Sequence, residues 1–308
     1  MLSMLRAIIV LAAGLAQVPQ ATPPQPPPAT QAPQPPPATD VYLVALADPA
    51  AWTASSVSNI SASPGYDNQP SFMRDSRSVL FTSNRDGKQT DIYRYWIADR
   101  KLTQVTSTAE SEYSPTIVPA GNGFTVIQVE ADQAQRLWQF DLTGKSPQVV
   151  LPDVKSVGYH AWIDASTVML FVLGQPATLQ RATPGAAETQ TVASGIGRSI
   201  AAIPNAKAVS FTSRDDTGVW WIRKYDAETG AVTDLVRAPE AGEPHTSWSR
   251  DGRLFTAAGT KIYSWKAGAA GWTVVGDLSA APVRTISRLA VSPDGRWLAF
   301  VAEPPAAQ

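Results

Sequence analysis

The sequence predicts an all-β protein: a six-bladed β-propeller whose sixth blade is closed by strands from both termini. Three observations predict it. After Asp40, short runs rich in β-branched and aromatic residues alternate with Gly, Asp, Asn and Ser turns, and no convincing amphipathic helix intervenes. Equivalent positions recur every 40 to 46 residues, at Pro70, Pro115, Ala161, Ala201, Thr246 and Leu289. That interval is the length of a four-stranded propeller blade. The last unit, "ISRLAVSPDGRWLAFVAEPP", supplies only two strands.

Taken in order, the chain opens with "MLSMLRAIIVLAAGLAQ". One positive charge, Arg6, precedes an apolar run from Ala7 to Ala16, and Gly14 and Ala16 are small residues suited to cleavage before Gln17. Residues 1–16 are expected to be a secretory signal. The other reading, a retained anchor, needs a run of spanning length, and this one is short. Residues 17–39 are a proline-rich spacer, expected to be disordered, with partly polyproline II character. A tether is the simpler reading, a docking peptide for an aromatic groove the other. The propeller is expected over residues 40–304, with a disordered tail at 305–308.

Within the propeller, "DVYLVAL" after Asp40 matches the third-strand stretch "DIYRYWI", and "SSVSNIS" matches the fourth-strand stretch "KLTQVTS". The N-terminal segment therefore supplies what the last unit lacks. Sharing a blade between the ends closes the ring by strand pairing and removes the open edges. Each unit begins with a short strand and a turn such as Asp251-Gly252 or Asp294-Gly295, where Gly accepts positive φ. An apolar second strand follows, "SVLFTS" or "WLAFVA". The third strand carries aromatics, including Trp96, Trp138, Trp221 and Trp265, which are expected to pack between blades. The third unit has the weakest strand sequence, "PATLQRATPG".

Composition narrows the function classes. Among 308 residues the charged fraction is 17% and the formal net charge is -1. Lys and Arg are scattered, which argues against a nucleic-acid partner. No second apolar run reaches spanning length, so no transmembrane span is expected in the mature chain. There is no Cys, which excludes disulfides, Cys-ligated metals and Cys nucleophiles.

Motifs with chemical content are few. His160 and His245, the two histidines, each stand one residue before the repeat anchor of their unit. Gln69, Ser114, Ile200 and Arg288 hold that place in the other units. This position is expected near the mouth of the central channel, where imidazoles bind a metal or act as a base. Gln69, Glu112 or Glu243 would have to complete such a shell. The alternative is two rim histidines bonded to neighbouring loops. Gln69, Ser114, Arg288, Trp162 and Trp248 are the further channel-mouth candidates. The stretch "NRDGKQTD" offers Asp86 and Asp91 but lacks the six or more oxygen ligands of a calcium loop, so it reads as a hairpin. Gly144, Gly230 and Gly252 read as turn residues, since no helix follows them. There is no Gly-x-Ser-x-Gly nucleophile elbow.

The stretches "VSPDGRWLAFVA", "SWSRDGRLF", "FTSNRDGKQTDIYRY" and "KYDAETGAVTDLV" resemble the TolB-like family of β-propeller repeats. The resemblance runs from Asp40 to about Pro304 and implies the propeller fold. The family's best-known member is a periplasmic protein of the Tol–Pal envelope system, with an additional α/β domain before the propeller; this chain has the proline-rich stretch there. Similar blades precede hydrolase domains in some serine peptidases, and no such domain is expected here. Pectate-degrading lyases with similar blades imply channel histidines holding a metal, a role that would fall to His160 and His245.

The expectation is an exported binding or scaffold module of the cell envelope, periplasmic or secreted, monomeric, without a cofactor. It would recognise a protein or peptide through one face or the channel mouth. The alternative is a metal-dependent enzyme acting on carbohydrate or small esters near His160 and His245.

Overall fold

The computed structural model describes residues 37–47 and 52–304. The expected leader, most of the spacer and the tail lie outside the described residues. The first two strands are β1 (Asp40–Ala45) and β2 (Ser58–Asn59). Blade one follows as β3 (Asp67–Phe72), β4 (Ser78–Ser83), β5 (Asp91–Trp96) and β6 (Lys101–Gln104). Blade two is β7 (Ser111–Ile117), β8 (Gly123–Val129), β9 (Gln135–Asp141) and β10 (Gln148–Val149). Blade three is β11 (Val157–Asp164), β12 (Thr167–Val172), β13 (Thr178–Ala182) and β14 (Gln190–Ser194). Blade four is β15 (Ile196–Ala202), β16 (Ala208–Arg214), β17 (Trp220–Asp226) and β18 (Val232–Arg237). Blade five is β19 (Thr246–Trp248), β20 (Arg253–Ala258), β21 (Lys261–Lys266) and β22 (Thr273–Asp277). The last strands are β23 (Ile286–Val291) and β24 (Trp297–Ala302).

The sixth blade is shared between the ends, in the order β2-β1-β24-β23. β1 pairs antiparallel with β24 along its whole length, from Asp40 opposite Ala302 to Ala45 opposite Trp297. Val41 and Val44 on one strand and Leu298 and Val301 on the other are buried, so the closure is held by apolar contact as well as by the ladder. Thr39, assigned above to the spacer, is already buried and bridges Tyr66 in parallel. Blade three forms all four strands despite the poor strand sequence of β13, because β12, the buried "TVMLFV", gives β13 a full partner.

The inner strands β3, β7, β11, β15, β19 and β23 contact one another in sequence, and β23 returns to β3. Each seam between adjacent blades carries its own apolar cluster. Leu80, Ile92, Phe124 and Phe140 fill the seam of blades one and two. Val41, Val79, Phe81 and Val301 fill the seam of blades six and one. The alternation of each strand sends one side chain to each neighbouring blade, so both faces of the second strands are apolar.

The turns follow the sequence. Gly252 and Gly295 take φ of 77° and 72°. Ser249 and Ser292 donate to Asp251 and Asp294 within these turns. "NRDGKQTD" is the β4–β5 hairpin: Asp86 accepts the Lys88 backbone N–H, and Gly87 has φ of 72°. Of the third-strand tryptophans, Trp265 is buried, while Trp138 and Trp221 are half-buried and donate to Glu130 and Asp215 in the preceding turns. Among the described residues, no helix is long and apolar enough to cross a membrane.

Candidate functional site

The inner strands do not pair regularly with their neighbours. β3, β7, β11, β15 and β23 each carry a register shift near their start. Gln69 and Ser114, at equivalent points of β3 and β7, take φ of 58° and 57°. Left-handed backbone at a residue other than Gly costs about 1–3 kcal/mol and tends to occur where a fold aims a side chain at a site. Here Gln69 and Ser114, both within these bulges, line the central channel. Gln69 Oε1 accepts from Thr82 Oγ1 at 3.0 Å and from the Ser114 N–H at 2.8 Å, tying blade one to blade two at the channel wall.

The channel is small, about 160 Å³, and residues from all six inner strands or the turns before them line it. Gln69, Ser114, His160, His245 and Arg288 are among them, with Tyr159 and Arg198. Trp162 and Trp248 are not. Both pack in seams between blades: Trp162 donates to Thr125 Oγ1 of β8 at 2.9 Å, and Trp248 to Ser210 Oγ of β16 at 2.9 Å. They sit deeper along their strands than the histidines, past the point where the inner strands face open space, and an indole there gains more from burial against the next blade.

His160 is 6% exposed. Its Nε2 lies 2.7 Å from Thr125 Oγ1, which also contacts the Thr116 carbonyl at 3.2 Å. A hydroxyl has one proton and two lone pairs. Donating the proton to Thr116 leaves acceptors for both His160 Nε2–H and Trp162 Nε1–H. That assignment satisfies all three bonds and leaves His160 Nδ1 as a bare lone pair, buried and without a partner. Burial lowers the His160 pKa to about 3, so the ring is neutral. His245 is half-buried in the channel wall, and its pKa is lowered well below the usual value, by burial first and then by the positive charge of Arg288 and Arg198. Among the described residues no group of three or more His, Cys, Asp or Glu side chains converges as a metal shell would require. Glu112, considered above as a ligand, lies instead in the seam of blades one and two, hydrogen-bonded to Thr106 and Thr108. Glu243 accepts the Arg198 backbone N–H.

Two hollows flank the channel on the face where the inner strands begin. One, about 490 Å³, shares Gln69, Tyr159 and Arg198 with the channel and extends over Tyr66, Tyr113 and Leu173. The other, about 750 Å³, shares His245 with the channel and runs between blades five and six past Tyr263. Each shares lining residues with the channel, and we call the three together the groove. Arg288 Nη2 donates to Tyr159 Oη at 2.8 Å, joining blade six to blade three across the channel. Tyr66 and Tyr113 stack edge to face with ring centroids 6.4 Å apart. Sequence reading did not single out Tyr66, Tyr113, Tyr159 or Arg198. Their signal was their place, two to four residues before the repeat anchors, where an aromatic or a charge stands at the rim.

The fold is that of known six-bladed propellers. A putative TolB from Agrobacterium tumefaciens superposes with a TM-score of 0.65 at 14% identity, covering 87% of this chain and 99% of that one. A gluconolactonase from Xanthomonas campestris gives 0.62 at 9% identity, covering 86% and 97%. An oligogalacturonate lyase in complex with manganese gives 0.55 at 14% identity, covering 81% and 80%. No protein-family model and no curated protein sequence matches the chain.

Proposed function

We propose that this protein is an exported binding module of the cell envelope, which recognises a protein or peptide through the groove at its channel mouth. One observation carries this reading: the ring of inner strands presents a channel mouth with a hollow on either side, pairing apolar and tyrosine walls with two arginines. Such a surface suits an extended ligand more than a small substrate. The hydroxyl nearest an imidazole, Thr125, is 0% exposed and already holds three hydrogen bonds, so it offers no accessible nucleophile. The signal-like leader and the TolB-like neighbours support the envelope setting.

The test is site-specific photocrosslinking in cells. With a crosslinking residue at Tyr113 in the groove, the expected product is one discrete envelope-protein adduct. The same residue at Val274, exposed on the outer strand of blade five, is expected to give none. Equal labelling from both positions, or none from either, would remove the groove as the binding surface.

A second reading has one specific observation behind it: His160, whose buried Nδ1 has no partner, and His245 line the same channel. It would make the protein a metal-dependent enzyme on carbohydrate or small esters. Metal analysis of untagged protein decides it. One metal per chain, lost in both His160→Ala and His245→Ala, would favour the enzyme; no stoichiometric metal leaves the binding module.

A further inference from the structure

The groove has a chemical polarity. Its channel end is cationic: Arg198 and Arg288 line the channel, and no carboxylate does. Neither guanidinium takes part in an ion pair among the described residues. Glu243 approaches only the backbone N–H of Arg198. Two like charges facing one cavity with no carboxylate in its lining are an unbalanced arrangement, and it costs least when an anion occupies the space between them. His245 of the channel lining and Tyr66 of the adjoining hollow both lie close enough to the two arginines to feel their positive charge.

Arg288 is also held in place. Its guanidinium carbon lies 4.8 Å from the Tyr159 ring centroid while Nη2 bonds the phenol oxygen. One of its five N–H donors is used there, and no other side-chain bond from it is present among the described residues. A fixed guanidinium with free donors is the geometry that binds carboxylates in a fork.

Size then selects what kind of carboxylate. The channel volume of about 160 Å³ is below the roughly 300 Å³ at which small-molecule sites begin. It admits a terminal group and leaves no room for a chain that continues. The adjoining hollow of about 490 Å³ is in the range for a short peptide segment, with Phe171, Leu173, Ile127 and Val129 supplying apolar wall. An N-terminal ammonium or a Lys side chain would be repelled by the two arginines.

We propose that the channel mouth receives the free C-terminal carboxylate of an extended peptide between Arg198 and Arg288, with the preceding residues lying over Tyr66 and Tyr113. This rests on the reading of that face as a binding surface and specifies the partner: a protein with an accessible C-terminus whose last side chains are apolar or aromatic.

The probe is a peptide array of octamers tethered by their N-termini and randomised over the last four positions, printed once with free C-termini and once amidated. The full chain is applied to both. The expected result is binding to a subset of free-carboxylate peptides that weakens at least tenfold on amidation. Each of Arg198→Ala and Arg288→Ala should weaken the best free peptide by roughly tenfold to a hundredfold, the range of a lost charge-assisted hydrogen bond. Arg288→Lys should recover part of the loss, which reports charge and not fold; melting curves of all variants should match the parent, since both side chains reach solvent. Binding that survives amidation, or that follows internal Asp and Glu instead, overturns the C-terminal assignment and leaves the groove as a peptide site. Binding to neither array overturns the assignment and the peptide reading together. Tighter binding of oligogalacturonate than of any peptide, lost in the Arg variants, overturns both in favour of the carbohydrate reading.

Discussion

Thr125 shows how much one side chain can organise. Its hydroxyl accepts from His160 of blade three, accepts from Trp162 of the same strand, and donates back into its own blade. Thr125→Val keeps the shape and removes all three bonds. It leaves two buried N–H donors without partners, each costing about 1–3 kcal/mol. The variant should lose about 2–5 kcal/mol in urea unfolding. Trp248→Phe removes one bond, leaves Ser210 its bond to the Ala201 carbonyl and opens space in the seam, and should lose about 1–3 kcal/mol. A loss well under about 1 kcal/mol in Thr125→Val would mean that the His160 and Trp162 bonds do not depend on the hydroxyl. None of this was legible in sequence, because Thr125 is unremarkable in its strand and its partners lie 35 and 37 residues away.

At the scale of elements, the seam between blades one and two holds a buried acid pair, Asp91 of β5 and Glu112 of β7, 2% and 0% exposed. Gln104 donates to Asp91 at 3.1 Å, and Thr106 donates to Glu112 at 2.9 Å. Burial raises the Glu112 pKa from 4.5 to about 7, against the two threonine bonds and with the help of Asp91. Asp91 is raised as well, first by burial. A carboxyl whose folded pKa is raised stays protonated in the fold while the unfolded chain ionises. Its contribution to stability is therefore complete below about 4.5 and is lost as pH rises through about 7. Unfolding free energy measured from pH 4.5 to 8 should fall by up to about 1.4 kcal/mol per pH unit from this group. Glu112→Gln should flatten that fall. Parallel curves for the two proteins would show Glu112 ionised in the native state at neutral pH. The sequence offered Glu112 as a metal ligand near the channel; it stands near the start of β7, before the bulge, and its carboxyl lies in the seam bonded to Thr106 and Thr108.

For the whole molecule, closure is the decisive feature. Blade six is completed by β1 and β2, so the ring has no independent end. A chain beginning at residue 61 would lose both, unpair β24, and expose Val301, Ala299 and Leu298 along one flat edge. Such an edge is an aggregation template. The truncated chain should lose its single cooperative melting transition and sediment as aggregates. A soluble monomer with an unchanged transition would show that the ring does not depend on β1. The proposed binding mouth depends on the same closure, because Arg288 sits on β23 of the shared blade and reaches Tyr159 on blade three.

The blades were legible in the sequence because each is local. A strand pattern of period two, a turn that needs positive φ and a repeat interval are properties of neighbouring residues. Even the closure could be read, since "DVYLVAL" and "WLAFVA" are strand sequences that lack partners of their own. The channel mouth could be read only as a set of positions: Gln69, Ser114, His160, His245 and Arg288 share a place in the repeat. Tertiary structure decided the rest. Whether a side chain at that place enters the channel or the seam depends on the bulges and on the neighbouring blade, which is why Trp162 and Trp248 turned away. The meeting of Arg198 and Arg288 at one cavity without a lining carboxylate arises from residues 90 positions apart on strands that never pair. Only ring geometry brings them together.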